Sequence, residues 1–159
     1  MQPAENFKHL LRIFIGPRAA HYLSYLEQKN VTTKPLALSW AGLIFGVYWL
    51  LYRKMYSYFF LWLAIMFVVG LVVEIVGLSV QSIAALSFVP NILIGLMGKD
   101  LYLKFAQQKT KAYMNHPKYN EKVFAEEGGV SLGVPVLWLF IQIVVVVMLS
   151  LPFIHFSPL

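Results

Sequence analysis

Glu74 is the only formal charge between Lys54 and Lys99. A carboxylate in apolar surroundings can bind a proton or a cation, so Glu74 is the first candidate for chemistry. It also stands near the expected end of a helix, where it can be solvated or cap the next helix. Gln142 is the one strongly polar residue in the last apolar run. It can contact a substrate or hydrogen-bond a neighbouring helix. The histidines are His9, His21, His116 and His155, and no pair has the tight helical spacing of a metal motif. Tertiary contact could still join His9 and His21 as haem ligands, or with Glu27 as an acid–base set acting on a lipid or isoprenoid. Cysteine is absent, which excludes disulfides, thiolate catalysis and Cys-based zinc or iron–sulfur sites. No phosphate-cradling glycine loop occurs. Gly128, Gly129 and Gly133 read as a flexible hinge, and Glu121, Glu126 and Glu127 as a solvated loop face. The expectation is a non-enzymatic protein with no catalytic residue, no metal and no cofactor.

The elements that would position these residues follow from composition. Hydrophobic residues make up 59% of the 159 and charged residues 13%. A soluble domain averages about 45–50% and 25%. The apolar residues also cluster, and from Gly128 to Leu159 there is no charged side chain. A core of this size cannot hide such runs, so lipid is the expected solvent. A span needs about 20 apolar residues. Tyr58 to Gly98 holds two, at about 57–75 and 80–98, with a turn between Glu74 and Ser82. Pro90 should kink the second, and Ser87 could satisfy the freed carbonyl. A third span covers about 132–154. The second continues as a helix to about Asn115, and His116-Pro117 ends it. No signal peptide is expected at the start, where the apolar stretch is short and broken by Arg12.

Leu36 to Leu51 is short for a span and rich in aromatic residues. Whether it crosses decides the charge distribution. The net charge is +6, and the 13 basic residues fall in three blocks, before this segment, just after it, and between the second and third spans. All lie on one side if 36–51 is re-entrant or interfacial. The first block lies on the other side if it crosses. Positive charge collects on the cytoplasmic side, which favours the first arrangement. The expected fold is all-α, with three transmembrane helices plus a short re-entrant or interfacial helix, and four spans as the alternative. The expected organisation is a cytoplasmic amphipathic segment at 1–35, the Trp-rich segment at 36–56 and a transmembrane hairpin at 57–98. A basic cytoplasmic loop or helix follows at 99–131, then a third span with a short outer tail at 132–159. In the first segment Phe7, Leu10, Leu11 and Phe14 recur at helical spacing, as in helices lying on a membrane surface.

The Trp-rich segment reads Ser39-Trp40-Ala41-Gly42-Leu43-Ile44-Phe45-Gly46, then Trp49-Leu50-Leu51-Tyr52-Arg53-Lys54-Met55-Tyr56. Arg53 and Lys54 can snorkel to phosphates while Trp40, Trp49, Tyr52 and Tyr56 sit at headgroup depth. Gly42 and Gly46 form a G-x-x-x-G pair that lets a second helix approach closely. The segment resembles the signature of a family of small bacterial inner-membrane proteins known as a domain of unknown function. Phe14-Ile15-Gly16-Pro17, Tyr22-Leu23, Leu101-Tyr102 and Gly128-Gly129-Val130-Ser131 are similar to other family patterns. Lys99-Asp100 departs from them, since an Asn would be expected before the Tyr. The resemblance implies a membrane protein and brings no activity, cofactor or catalytic residue.

The functional expectation is an accessory or scaffold protein of the bacterial inner membrane. It would bind another membrane protein or itself, hold anionic lipid headgroups, and have no nucleic-acid partner. The N-terminus would be cytoplasmic and the C-terminus outside. The alternative is an oligomeric channel or small transporter using Glu74 and Gln142.

Overall fold

The computed structural model describes residues 3–31, 38–116 and 120–154. His155, Pro117 and residues 36–37 lie outside them. Among the described residues the chain is all-α, without a strand. The helices are α1 (Pro3–Ile15), α2 (Ala19–Val31), α3 (Trp40–Phe45), α4 (Val47–Tyr52) and α5 (Tyr56–Val76). They continue as α6 (Val80–Ser87), α7 (Val89–Asn115), α8 (Glu121–Glu127) and α9 (Gly133–Ile154). Three helices are long and apolar enough to cross a membrane: Tyr56–Val76, Gln81–Asn115 and Gly133–Leu151.

The 21 residues of α5 reach about 31 Å at ~1.5 Å per residue, close to the hydrocarbon thickness. Gly77 stops the helix with φ +67° and returns its N–H to the Val73 and Glu74 carbonyls. Only glycine takes that backbone conformation without strain. Ser79 then caps α6, its hydroxyl accepting from the Ser82 N–H. The second apolar stretch breaks at Phe88, which places Pro90 in the first turn of α7. Proline is tolerated there because its missing N–H would have had no helical partner. The Ser87 hydroxyl donates to the Ala84 carbonyl at 2.7 Å. With 27 residues, α7 is about 40 Å long. It outruns the bilayer, and its second half carries Lys104, Lys109 and Lys111.

The Trp-rich segment turns back on itself. The Ser39 N–H donates to the Gly95 carbonyl at 2.7 Å. A Cβ on Gly42 would stand 2.8 Å from the Ile94 carbonyl oxygen, and one on Gly46 would stand 2.0 Å from Asn91 Oδ1. From Ser39 to Gly46 the partners on α7 therefore run backwards, from Gly95 to Asn91. The Trp49 ring lies against Gly98 and Arg53 lies against Tyr102, so beyond Gly46 they run forwards. Thus α3 is antiparallel to α7 and α4 parallel to it. Gly46 makes the reversal with φ +52° and ψ −127°. The segment is a helical hairpin, and its two ends leave it in the same direction relative to α7.

The core sits at the base of this hairpin. Leu11, Phe14, Ile15, Leu50, Met55, Phe59, Tyr102, Ala106 and Phe124 are all buried. Each large apolar side chain contributes roughly 1.5–3 kcal/mol by leaving water. The stripe on α1 is therefore spent on α7 and α8, with Phe14 against Phe105 and Phe124. This corrects the expectation of helices lying on the membrane surface. Their apolar faces are covered by protein, because the projecting half of α7 offers them a packed surface. The loop after α8 is also clamped. A Cβ on Gly128 would meet the Phe14 carbonyl oxygen at 2.1 Å, and the Gly129 N–H donates to that same oxygen at 2.7 Å. Gly128 thus permits close backbone contact, and Gly129 turns the chain there with φ +69°, in place of the expected hinge.

Candidate functional site

The motif Tyr52-Arg53-Lys54-Met55-Tyr56 is the stop signal of α4. The Met55 N–H returns to the Leu50 carbonyl at 2.9 Å, and the Lys54 N–H to the Leu51 carbonyl at 3.0 Å. This pair of bonds is a Schellman motif. Lys54 takes the left-handed position with φ +56°. Met55 and Leu50, the hydrophobic pair that accompanies such a turn, are both fully buried. The turn throws neighbouring cations in opposite directions. The Lys54 Nζ swings out to the Glu126 carbonyl. Arg53 goes in.

Arg53 is 2% exposed. Its guanidinium lies 4.5 Å from the centre of the Tyr102 ring, 4.9 Å from Tyr22, 5.8 Å from Tyr52 and 5.9 Å from Trp49. Nη2 donates to the Tyr22 hydroxyl at 2.7 Å. Among the described residues no carboxylate forms an ion pair with it. Nε, Nη1 and the Tyr102 hydroxyl find no hydrogen-bond partner there. The cation is held by aromatic faces, each contributing roughly 0.5–2 kcal/mol. Burial pushes the Tyr22 phenol up, and the Arg53 charge and hydrogen bond partly offset the rise. An always-charged guanidinium in an aromatic box can pin three elements together, and it leaves a positive charge under the hairpin.

The other predicted residues scatter. Trp40 is 67% exposed at the start of α3, and Tyr56 is exposed at the start of α5. Tyr52 is half-buried and Trp49 is buried. Arg53 and Trp49 are thus both enclosed by protein, where the sequence suggested side chains reaching out to lipid. Gly42 and Gly46 face α7 of this same chain. Gln142 accepts a hydrogen bond from the Tyr48 hydroxyl of α4. Glu74 is exposed near the far end of α5. Phe59 meets Trp138, so the starts of α5 and α9 are level. Among the described residues no hydrogen bond or ion pair joins Glu74 to Gln142. His9 lies 3.9 Å from Glu121, Lys8 pairs with Glu27 at 3.5 Å, and His21 stands edge-on to Tyr22. His116 is exposed. No described group of three or more His, Asp or Glu residues could hold a metal. Of the expected acidic loop face, Glu127 pairs with Lys109 at 2.6 Å.

The family model for DUF2628, described as a protein of unknown function, matches residues 8–108. The chain belongs to the DUF2628 family. No curated protein and no solved structure matches it significantly. The DUF2628 match takes in α1 from Lys8, α2 to α6 and most of α7, and so every wall of the Arg53 box. Tyr22 and Tyr102 complete that box, although residue-type reasoning singled out neither. A sequence signal for them is their place in the Tyr22-Leu23 and Leu101-Tyr102 patterns. The α9 helix lies outside the matched DUF2628 region.

Proposed function

We propose that the protein is a non-enzymatic accessory or scaffold of the bacterial inner membrane that assembles with another membrane protein or with itself. Its basic base would be cytoplasmic and in contact with anionic lipid, and the C-terminus would lie outside. The observation that carries this reading is the contrast between base and spans. The base holds a cluster of buried apolar side chains, while 6% of the apolar window of α5 and 0% of that of α9 is buried. The ring contacts of α5 with α7 and α9 fall at Tyr58 and Phe59, within its first turn. Above that level the spans offer whole faces for association. Helices in lipid gain stability by packing on one another. The basic residues support the orientation, because the reversing hairpin returns its flanking basic blocks to one side.

The test is chemical cross-linking in native membranes, followed by purification in a mild detergent. A discrete homo-oligomer or one defined heteromer is expected. Substituting Trp for exposed small or medium residues along α5 or α9 should weaken it. A chain that stays monomeric and captures no defined partner would sink the reading.

A further inference from the structure

A cleft of about 690 Å³ opens between the helical hairpin and α9. Its volume lies in the range of small-molecule sites, roughly 300–1,000 Å³. Phe45 and Val47 form one side, Val136 and Leu139 the other, and Tyr52 with Trp49 the back. Leu132, just before α9, and Leu139 within it mark the two ends of its wall, about 10 Å apart at ~1.5 Å per residue, within the depth of one leaflet. Phe45, Leu132 and Val136 are each 60% exposed or more. The cleft is thus open to the medium that bathes the apolar spans.

The lower end is different. Arg18 lines the cleft beside Tyr52 and Leu132. It is exposed and forms no ion pair among the described residues. The level is the base, because the Ser131 N–H donates to the Tyr52 carbonyl there at 2.9 Å. Next to Trp49 and Tyr52 stands the Arg53 guanidinium, which pairs with no carboxylate among the described residues. One end of the cleft is therefore cationic and at the level of the base, and apart from Tyr48 and Asn91 the rest of its lining is apolar. Basic pockets between spans on the cytoplasmic side hold anionic headgroups.

We propose that this cleft binds one anionic phospholipid, its phosphate at Arg18 and one acyl chain between the hairpin and α9. This deepens the lipid-contact part of the reading above and does not depend on the protein partner. A bulk lipid would exchange freely. A chain lying between two protein walls, with its phosphate on a fixed cation, is retained.

The test uses the full chain in detergent and native mass spectrometry, which reads bound lipid on each oligomeric state separately. The probe is an equal mixture of phosphatidylglycerol and phosphatidylcholine of the same chain length. The wild type should keep one phosphatidylglycerol per chain in preference to phosphatidylcholine. Arg18→Gln should lower that preference about fivefold, the value of one basic side chain at a charged surface. Val136→Trp should fill the cleft and remove the retained lipid. Leu71→Trp, on the exposed face of α5, should change neither. Equal retention of both lipids, or wild-type retention in Arg18→Gln, would overturn the proposal. So would displacement by glycerol phosphate alone, which would make Arg18 an ion site without a chain. If Val136→Trp keeps the lipid and breaks up an oligomer, the cleft is a protein interface and the proposal falls. Arg18 is exposed and outside the core, so its variant decides the matter even if Val136→Trp does not fold. Lipid retention on the monomer also separates this outcome from failure to find a partner.

Discussion

The Arg53 guanidinium donates to the Tyr22 hydroxyl at 2.7 Å and stands 4.9 Å from the centre of the same ring. One tyrosine thus supplies both an acceptor and a π face to a buried cation, and joins α2 to the end of α4. Arg53→Ala should destabilise the protein by about 3–5 kcal/mol, as large-to-Ala changes in a core do. Arg53→Met keeps the volume and removes a charge that is costly to bury, leaving mainly the Tyr22 hydroxyl unpaired. Its expected cost is about 1 kcal/mol. Thermal unfolding in detergent compares the two. Equal losses would show that the charge, rather than the packing, holds the box.

The contact of α3 with α7 rests on missing side chains. Gly46→Ala places a Cβ at a positive φ and against Asn91, and Gly42→Ala presses one against the Ile94 carbonyl. Each should lower the melting temperature by several degrees, equivalent to about 1–3 kcal/mol. Gly70→Ala meets nothing within 4 Å and should be neutral or gain up to about 1 kcal/mol from helix propensity. A melting curve for Gly46→Ala that overlays the Gly70→Ala curve would contradict the hairpin geometry.

Lys54 occupies the left-handed position that Schellman turns usually give to glycine. A non-glycine residue there costs roughly 1–2 kcal/mol. Lys54→Gly should therefore raise stability by about 0.5–1 kcal/mol, the strain relief being partly offset by loss of the bond to the Glu126 carbonyl and by glycine's entropy. The measurement is again thermal unfolding. A clear loss would make the Lys54–Glu126 bond the larger effect.

Tyr25 donates to the Asp100 carboxylate at 3.0 Å, and burial together with that carboxylate pushes its phenol up to about 12 from the ordinary 10.0. The folded state keeps this proton after the unfolded chain has lost it. The resulting stability is fully present below about pH 10 and is lost as pH rises towards 12. Tyr25→Phe should flatten part of the alkaline decline in melting temperature. Parallel declines in variant and wild type would remove Tyr25 from the account.

The chain has no cysteine, so single cysteines report sidedness directly. Lys8→Cys and Lys104→Cys should react with an impermeant thiol reagent from one face of oriented vesicles, and Leu78→Cys from the other. Labelling of Lys8→Cys together with Leu78→Cys would mean that the 36–51 segment crosses.

The spans were legible because lipid imposes a local rule. A helix in hydrocarbon must be apolar for about 20 residues wherever its neighbours are, so α5 and α9 could be read from composition alone. The turn at Gly77 and the end of α7 near Asn115 are also local, since each depends on a few adjacent residues. The same holds for the family resemblance, which is closest over the stretch from Trp40 to Tyr56, while the family match covers residues 8–108.

The direction of Arg53 was not legible in that way. In sequence it stands beside Lys54, with equal charge and equal reach. A single residue in the left-handed conformation sends the two apart, and the pocket that receives Arg53 is made by Tyr22 and Tyr102, distant in the chain. The stripe on α1 is a similar case, because amphipathic periodicity demands a cover and does not say whether lipid or protein supplies it. The sequence by itself determined three apolar segments long enough to cross a membrane and the order of the basic blocks between them, and it left the course of 36–51 open. Only the tertiary structure decided that α3 and α4 turn back at Gly46 and that the motif's arginine faces inward. Both depend on close contact between residues far apart in the chain, which no local pattern encodes.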